Sequence, residues 1–379
     1  MKSRPETNDS IVLKTASKES LIKFGPFEEA DFDPHKTAIV ADSFTVRYMP
    51  NTARAKQLIL VPRGEAAKSL KVLEQVYAGL LAMAADRSWS LMAVGGGSIC
   101  DLAGLAAATW MRGINCLLLP TTLLSMLDAS IGGKTAVDYQ AYKNLIGVFS
   151  QPAMVCIDIS SLKSLDKQSM AGGMAEAVKH AVLGGEAMLD SIENAIAANG
   201  SVKTEKLEDI VKESILFKKT VVEADEREKG FRSILNLGHS FGHAIEAASG
   251  LPHGYAVSAG LGLAFDLAVK RGASLAASSK VKRLLKKIGL PTSLEEARLE
   301  AIALSGAFDF GDRLRTNISD PDSFVKAVEG SLANDKKRCG YSINFVLPMD
   351  IGQVKTELLS IDYLIAFLTA KGKEHLHDA

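Results

Sequence analysis

Cysteine is scarce in this chain: Cys100, Cys116, Cys156 and Cys339 stand far apart among 379 residues. None forms a CxxC pair, so neither a thiolate zinc site nor a dithiol redox centre is encoded, and the four read as reduced, structural thiols. An excess of charge is also lacking. Lys+Arg and Asp+Glu both number 44, which leaves no overall positive field for nucleic acid or an anionic membrane surface. Any anionic ligand must then be met by a local cluster of cations. No apolar run reaches the length of a membrane span without interruption, because Leu91–Trp110 is broken by a glycine triplet and by Asp101. The opening MKSRPETNDS carries no apolar segment of the secretory type, and the expected location is cytoplasmic.

What is present is enough apolar residue, 47%, to build the cores of two domains. The first part alternates short β-rich runs with a helical pattern: TAIVADS (37–43), QLILVPRG (57–64), the helical SLKVLEQVYAGLLAMAADR (69–87), SLMAVGGGS (90–98), INCLLLPTT (114–122) and AMVCIDIS (153–160). That rhythm predicts βα units around a parallel sheet, a Rossmann-like α/β domain. From about Ala171 the β signal fades, and LEDIVKESILFKKTVVEADE (207–226) and VSAGLGLAFDLAVKRG (257–272) predict a mainly α-helical second domain. The polar segment 160–168 suits a junction, giving domains of 1–166 and 167–379. The tail GKEHLHDA is expected to fray.

Gly95-Gly96-Gly97-Ser98 follows the apolar strand LMAV and precedes a helical run. Glycine there lets backbone approach a pyrophosphate while a helix N-terminus offers N–H donors. The spacing is not GxGxxG, and a tight structural turn is the competing reading. Pro62–Lys68 and Pro120-Thr121-Thr122 follow other predicted strands, so several strand ends offer polar groups to one crevice, which favours a ligand.

His239 and His243 lie four residues apart in LNLGHSFGHAIEAA, placing both imidazoles on one helical face. His253 follows, read as lying in a loop after Pro252. Neutral imidazole is a common ligand for zinc and similar ions, and Glu176 of AGGMAEAVKH is the best candidate for a completing carboxylate. Two His and one Glu would leave a coordination position open for substrate, with the third histidine serving the substrate. The competing reading is ordinary surface or core histidines, since the pair lacks the glutamate of HExxH.

Taken in order, GGGSICD (95–101), PTTLLSMLDASIGGKTAVD (120–138), KNLIG (143–147), AGGMAEAVK (171–179), ADEREKGFRSILNLGHSFGHAIE (224–246) and HG (253–254) resemble the 3-dehydroquinate synthase family over roughly residues 38 to 348. The resemblance implies an NAD-binding α/β domain, a helical C-terminal domain, an active site formed by both, and a homodimer. It implies zinc or cobalt held by Glu176, His239 and His253. In the family, bound NAD oxidises a secondary alcohol of 3-deoxy-D-arabino-heptulosonate 7-phosphate, phosphate is eliminated, the hydride returns, and the opened ring closes by an aldol step. Oxidation to a ketone acidifies the neighbouring C–H, and a divalent ion polarises the reacting oxygens.

The same resemblance assigns substrate contacts to Lys134, Asn144, Lys179, Arg232, Asn236 and His243, types suited to clamping a phosphate and a carboxylate. Lys218, Glu228 and, in the run 335–337, Lys337 match further active-site positions, and Arg112 matches an arginine that reaches the neighbouring subunit's site. For the nucleotide the matching positions are Asp42, Glu65, Lys68, Gly95, Gly96, Gly97, Ser98, Asp101, Thr121, Thr122, Asp128 and Lys143, with Lys134 adjoining. For each charged residue the competing reading is a solvated surface side chain.

The chain departs from the family at three places. Cys100 replaces a glycine, setting a Cβ near the expected pyrophosphate turn. Tyr255 replaces the glutamate of HGE, and Asp166–Ser169 replaces a proline-arginine-glutamate turn; changes beside metal ligands weaken binding or activity. His180, one helical turn after Glu176, is a candidate fourth ligand against the commoner surface histidine. Three rival functions follow: a sister cyclase using another sugar phosphate, an iron-dependent alcohol or glycerol dehydrogenase that would release NADH, and a non-catalytic relative.

Overall fold

The computed structural model describes residues 10–49, 57–140, 142–305, 312–333 and 338–374. They fall into two compact units, one drawn from residues 1–170 and 215–232, the other from 171–214 and 233–379. The chain leaves the first unit at Met170, returns to it for Ile215–Arg232, and leaves again. A single cut at 166 does not describe that return.

In the first unit, strands β1 (Ser10–Lys14), β2 (Glu19–Phe24), β3 (Thr37–Ala41) and β4 (Leu58–Leu60) precede helix α1 (Leu70–Ala82). Strand β5 (Ser90–Gly95), helix α2 (Gly97–Thr109), β6 (Asn115–Pro120), the hairpin β7 (Lys134–Tyr139) and β8 (Tyr142–Phe149), and β9 (Met154–Ile157) follow. Seven strands form one sheet in the order β1-β2-β9-β6-β5-β3-β4, parallel throughout except for the β1/β2 pair. Every residue of β3 and β9 is buried, which is why these strands read as unbroken apolar runs rather than alternating ones. Ile39, Met92, Val94, Leu117, Leu119 and Met154 build one core layer against the sheet. Ser69 caps α1 by accepting from Val72 N at 3.3 Å. The strand order turns around at β3, whose two neighbours β4 and β5 lie on opposite sides, and such a switch point opens a crevice at the carboxyl ends of the strands.

The second unit holds most of α3 (Lys167–Gly184), then α4 (Glu186–Ala195) and the first part of α5 (Leu207–Ala224), which runs on into the first unit. Helices α6 (His239–Ser249), α7 (His253–Lys270), α8 (Leu275–Ile288), α9 (Leu294–Leu304), α10 (Asp312–Ile318) and α11 (Pro321–Ala333) follow. It closes with β10 (Arg338–Cys339), β11 (Ser342–Asp350), β12 (Gln353–Ser360) and α12 (Ile361–Glu374). The three strands form an antiparallel sheet that the expectation of a mainly helical second domain did not contain. Helix α12 continues to Glu374, three residues into the tail expected to fray, and 375–379 lie outside the described residues.

Two glycines bring the helices of this unit to backbone contact. A Cβ on Gly254 of α7 would stand 2.1 Å from Gly172 O of α3, and one on Gly260 would stand 2.1 Å from Gly238 O at the start of α6. Any larger residue would push these helices apart. Among the described residues no helix is long and apolar enough to cross a membrane.

Candidate nucleotide and metal sites

The register of the parallel sheet sets Ala41 beside Val94 and Gly95 beside Pro120, so Asp42, Gly95–Ser98 and Thr121–Thr122 leave the sheet along one edge. Gly96 is the N-cap of α2, and the first N–H groups of that helix carry the partial positive charge of its dipole. Close packing explains the triplet: Cβ atoms on Gly95, Gly96 and Gly97 would meet Ile99 at 2.5 Å, Thr122 at 3.3 Å and Ala129 at 3.2 Å. A polar chain runs along this edge. Ser98 Oγ donates to Glu65 at 2.7 Å, and Lys143 stands 3.6 Å from the other Glu65 oxygen. Lys68 donates to Asp101 at 2.7 Å and to the Asn144 side-chain oxygen, while Asn144 N donates to Asp138 at 2.7 Å. Burial pulls Lys68 down, yet Asp101, Glu65 and Asp138 outweigh it and raise its pKa. Burial also raises Asp101, only partly offset by Lys68, to about 6.

Beside this edge is a cavity of about 240 Å³ between Phe27, Tyr48, Met49, Pro120, Thr121, Asp158 and Ser161. Its walls offer apolar side chains together with the polar groups of Tyr48, Thr121, Asp158 and Ser161, a mixture that suits a ring system bearing hydrogen-bonding atoms. Tyr48, Asp158 and Ser161 were not expected from the sequence, because nothing but the strand order brings the end of β9 beside the end of β6. Asp42 serves the backbone here: its Oδ1 accepts from Phe44 N and Thr45 N, each at 2.7 Å, capping the turn that follows β3. Cys100 is buried on the inner face of α2 and donates to Gly95 O at 3.7 Å, so its side chain fills core rather than the turn. Arg112 is exposed in a left-handed kink (φ +68°) at the far end of α2, about 20 Å from Gly97 at 1.5 Å per residue.

Three cations of the same unit are held in place, two by carboxylates and one by main-chain carbonyls. Lys218 donates to Asp128 O at 2.6 Å and also to its side chain, and Lys134 pairs with Glu228. Arg232 is almost fully buried, and NH1 and NH2 donate to Glu226 O at 2.6 Å and Gly132 O at 3.0 Å. Burial lowers its pKa against the opposing pull of Glu228 and Asp128. Its Nε, also buried, has no acceptor among the described residues.

The second unit assembles Glu176, His239, His243 and His253. Glu176 sits on α3 with no exposed surface. His239 and His243 lie one turn apart on α6 with ring centres 5.2 Å apart, and His253 lies 5.3 Å from the first and 5.7 Å from the second. His253 is not in a loop: it is the first residue of α7, with Pro252 as N-cap. A proline's fixed φ and missing N–H suit a helix start, which is why the segment continues straight into the helix.

The hydrogen bonds orient both outer rings. His239 Nδ1 faces Leu237 O at 3.1 Å and His253 Nδ1 faces Glu246 Oε2 at 3.1 Å. Both Nδ1 atoms are thus engaged on the far side of their rings, and each Nε2 stands 3.5 Å from the same oxygen, Glu176 Oε1. Both of these distances are close to the edge, about 3.4 Å, of a tetrahedron around a metal with bonds of about 2.1 Å. The residues thus fit a divalent ion with an open fourth position. Lys179 pairs with the other Glu176 oxygen at 2.5 Å and is buried with it. Burial would lower the His253 pKa, but Glu176 and Glu246 together push it up to about 10. In this arrangement a dication competes with a proton for one pocket of negative charge.

His180 is fully buried one turn beyond Glu176, not a surface histidine. Tyr255 is also buried; two residues past His253 it points about 200° around the helix from it, and the carboxylate beside His253 comes from Glu246 instead. Asn236 ends the short helix that leads into α6. Lys337 lies outside the described residues.

Residues 58–172 match the family profile described as 3-dehydroquinate synthase N-terminal, and 173–307 match 3-dehydroquinate synthase C-terminal. The chain is 40% identical over 304 residues to the 3-dehydroquinate synthase of Symbiobacterium thermophilum, covering 78% of this chain and 77% of that protein. It is 38% identical over 298 residues to that of Rippkaea orientalis, covering 78% and 75%. Among solved structures, a 2-deoxy-scyllo-inosose synthase complexed with carbaglucose-6-phosphate, NAD+ and Co2+ superposes with a TM-score of 0.77 at 24% identity, covering 96% of this chain and all of that one. That likeness is one of fold.

Proposed function

The chain belongs to the 3-dehydroquinate synthase family, and from that premise we infer how its residues divide the work of converting 3-deoxy-D-arabino-heptulosonate 7-phosphate to 3-dehydroquinate and phosphate. It is a carbon–oxygen lyase of aromatic amino acid biosynthesis. The observation that carries the assignment of roles is the convergence of His239 Nε2 and His253 Nε2 on Glu176 Oε1, each at 3.5 Å.

Glu176, His239 and His253 hold Zn2+ or Co2+, which when bound supplies Lewis acidity to the reacting oxygens. NAD, bound along Gly95–Ser98, Asp101, Thr121 and Thr122, supplies reversible hydride transfer. The cavity of about 240 Å³ would hold part of the nucleotide, and the first N–H groups of α2 would be the donors available to its pyrophosphate. Glu65, Lys68, Asp128 and Lys143 line that edge, and Asp42 acts through the turn it caps.

The chain's own groups bind and orient the substrate. Arg232, whose Nε has no acceptor among the described residues, and Lys134, half exposed beside Glu228, clamp its phosphate and carboxylate. Asn144, held in a left-handed conformation by Asp138 and Lys68, presents its amide to a hydroxyl. His243, the third imidazole of the cluster, lies beside the ligands and carries a proton to or from the substrate. Lys179, Lys218, Asn236 and Lys337 complete the polar contacts. The working form is a cytoplasmic homodimer in which Arg112, exposed at the far end of α2 from the glycine turn, serves the neighbouring copy.

The test is to incubate metal-loaded protein with NAD and 3-deoxy-D-arabino-heptulosonate 7-phosphate while following phosphate, dehydroquinate and NADH together. Equal phosphate and dehydroquinate without accumulation of NADH is the expected result. Accumulating NADH would indicate a dehydrogenase, and turnover only with another sugar phosphate a sister cyclase.

A further inference from the structure

Glu226 matches none of the substrate, nucleotide or metal positions, yet its polar atoms hold the two turns on which the proposed anion clamp stands. Its main-chain carbonyl accepts from Arg232 NH1 at 2.6 Å. Its carboxylate accepts from Gln151 Nε2 at 3.3 Å, from Ser17 N at 3.2 Å, and from Ser17 Oγ. Gln151 is buried against the turn at Gly133, where a Cβ would stand 2.9 Å from its side chain. The preceding Gly132 carbonyl accepts from Arg232 NH2 at 3.0 Å. One residue therefore joins three segments distant in sequence: the β1–β2 turn, the glycine turn that leads into Lys134, and the loop that carries Glu228 and Arg232.

That loop needs holding. Glu228 sits at φ +54°, a conformation that a non-glycine residue keeps only when its surroundings impose it. Asp225 caps the loop from inside, accepting from Lys229 N at 2.9 Å, Gly230 N at 2.8 Å and Arg232 N at 3.1 Å. Nothing in those bonds ties the loop to the rest of the unit. Besides the Lys134–Glu228 pair and the Arg232 bond to Gly132 O, the ties are made by Glu226 and, one turn earlier on α5, by Glu223, which accepts from Lys14 N at 2.7 Å. The β1–β2 hairpin is fixed in turn by the pairing of β2 with β9 along the edge of the main sheet.

We propose that Glu226 is a positioning residue for substrate binding, with the β1–β2 turn as its brace: the Ser17–Glu226–Gln151 cluster sets Arg232, and Lys134 through its partner Glu228, at the spacing that receives the substrate's anionic groups. This rests on the reading of Arg232 as a substrate contact. Only the placement of the clamp depends on the cluster, so loosening it weakens substrate binding and leaves the nucleotide edge and the metal donors as they are.

The experiment compares Glu226→Ala, Ser17→Ala and Arg232→Ala in the full-length, metal-loaded protein, measuring kcat and KM for 3-deoxy-D-arabino-heptulosonate 7-phosphate together with NAD affinity and bound metal. The expected result for Glu226→Ala is a KM raised about 10- to 100-fold, the scale on which misplacing a binding group costs rate, with NAD affinity and metal content unchanged. Glu226→Gln, which keeps an acceptor for Ser17 and Gln151, restores most of the KM. Ser17→Ala, on an exposed turn where folding is not at risk, raises KM in the same direction by a smaller factor, and the Glu226→Ala effect largely vanishes in an Arg232→Ala background. If Arg232→Ala raises KM while Glu226→Ala and Ser17→Ala do not, the brace is refuted and the substrate reading stands. If Arg232→Ala leaves KM unchanged, the reading of the clamp fails and the brace with it.

Discussion

Glu246 Oε2 stands 3.1 Å from His253 Nδ1, on the side of the ring away from Glu176. Residue 246 lies on α6 and residue 253 opens α7, so the bond spans the turn between two helices and fixes the ring's orientation. It also places the proton on Nδ1 and leaves the Nε2 lone pair toward the other donors. Carboxylates in this position commonly contribute 10- to 100-fold to metal affinity. Glu246→Gln is therefore expected to weaken Zn2+ or Co2+ binding by about that factor in competition with a chelator, with NAD affinity unchanged. An unaltered metal affinity would mean that the ring is held by packing alone.

The glycine contact between α3 and α7 makes a second prediction. A methyl group on Gly254 cannot be accommodated 2.1 Å from Gly172 O, and the two helices carry Glu176 and His253. Gly254→Ala should lower the free energy of unfolding by about 2–3 kcal/mol, in the range of overpacked interiors. Metal affinity should fall with it, because the carboxylate and the imidazole separate. Urea unfolding of the metal-free protein measures the first effect and chelator competition the second; loss of neither would mean the helices can shift apart freely.

Much of this was legible in the sequence, for reasons that are physical. The strands TAIVA and LMAVG are buried on both faces, so they appear as apolar runs bounded by turn residues. The glycine triplet and the spacing of His239 and His243 are local patterns, visible without knowledge of the fold. Strand β8 was not legible because nearly all of it is exposed and it has no apolar alternation to read. Strands β11 and β12 follow a long helical region, and only β11 has a strongly buried face. The start of α7 was hidden by Pro252 and Gly254, which as letters signal a break and in the fold form a cap and a helix contact. Asp158, Ser161, Glu226 and Glu246 act through neighbours remote in sequence or across a turn, and no spacing rule marks them.

Cys100 shows how a departure from a motif can be misjudged from letters alone. Its place before Asp101 suggests interference at the pyrophosphate turn, but its side chain is buried in the core and faces Gly95 O. Cys100→Gly should leave NAD affinity within about twofold, while costing about 1–2 kcal/mol of stability through lost burial and helix propensity. Calorimetric titration with NAD and thermal unfolding separate the two. A clear gain in NAD affinity would show that the thiol does crowd the nucleotide.

The Lys68–Asp101 pair ties stability to pH. Burial, only partly offset by Lys68, raises Asp101 from 3.8 to about 6 in the folded chain. Between those values the folded form keeps a proton that the unfolded form releases. The folded state is thus favoured by this group below about pH 4, and the advantage is lost as pH rises through 6, a change of about 3 kcal/mol in all. The direction is opposite to that of a carboxylate whose pKa is lowered on folding, such as Asp225, whose contribution is present above its unfolded value and lost in acid. Other groups titrate in the same window, so the measurement is a difference. Unfolding free energies of the parent and of Asp101→Asn, taken by urea titration between pH 4.5 and 7.5, should diverge, with the parent losing ground to the variant as pH rises. Parallel curves would mean that Lys68 holds Asp101 ionised throughout, and the pair would then be a permanent ion pair beside the nucleotide edge rather than a proton-sensitive one.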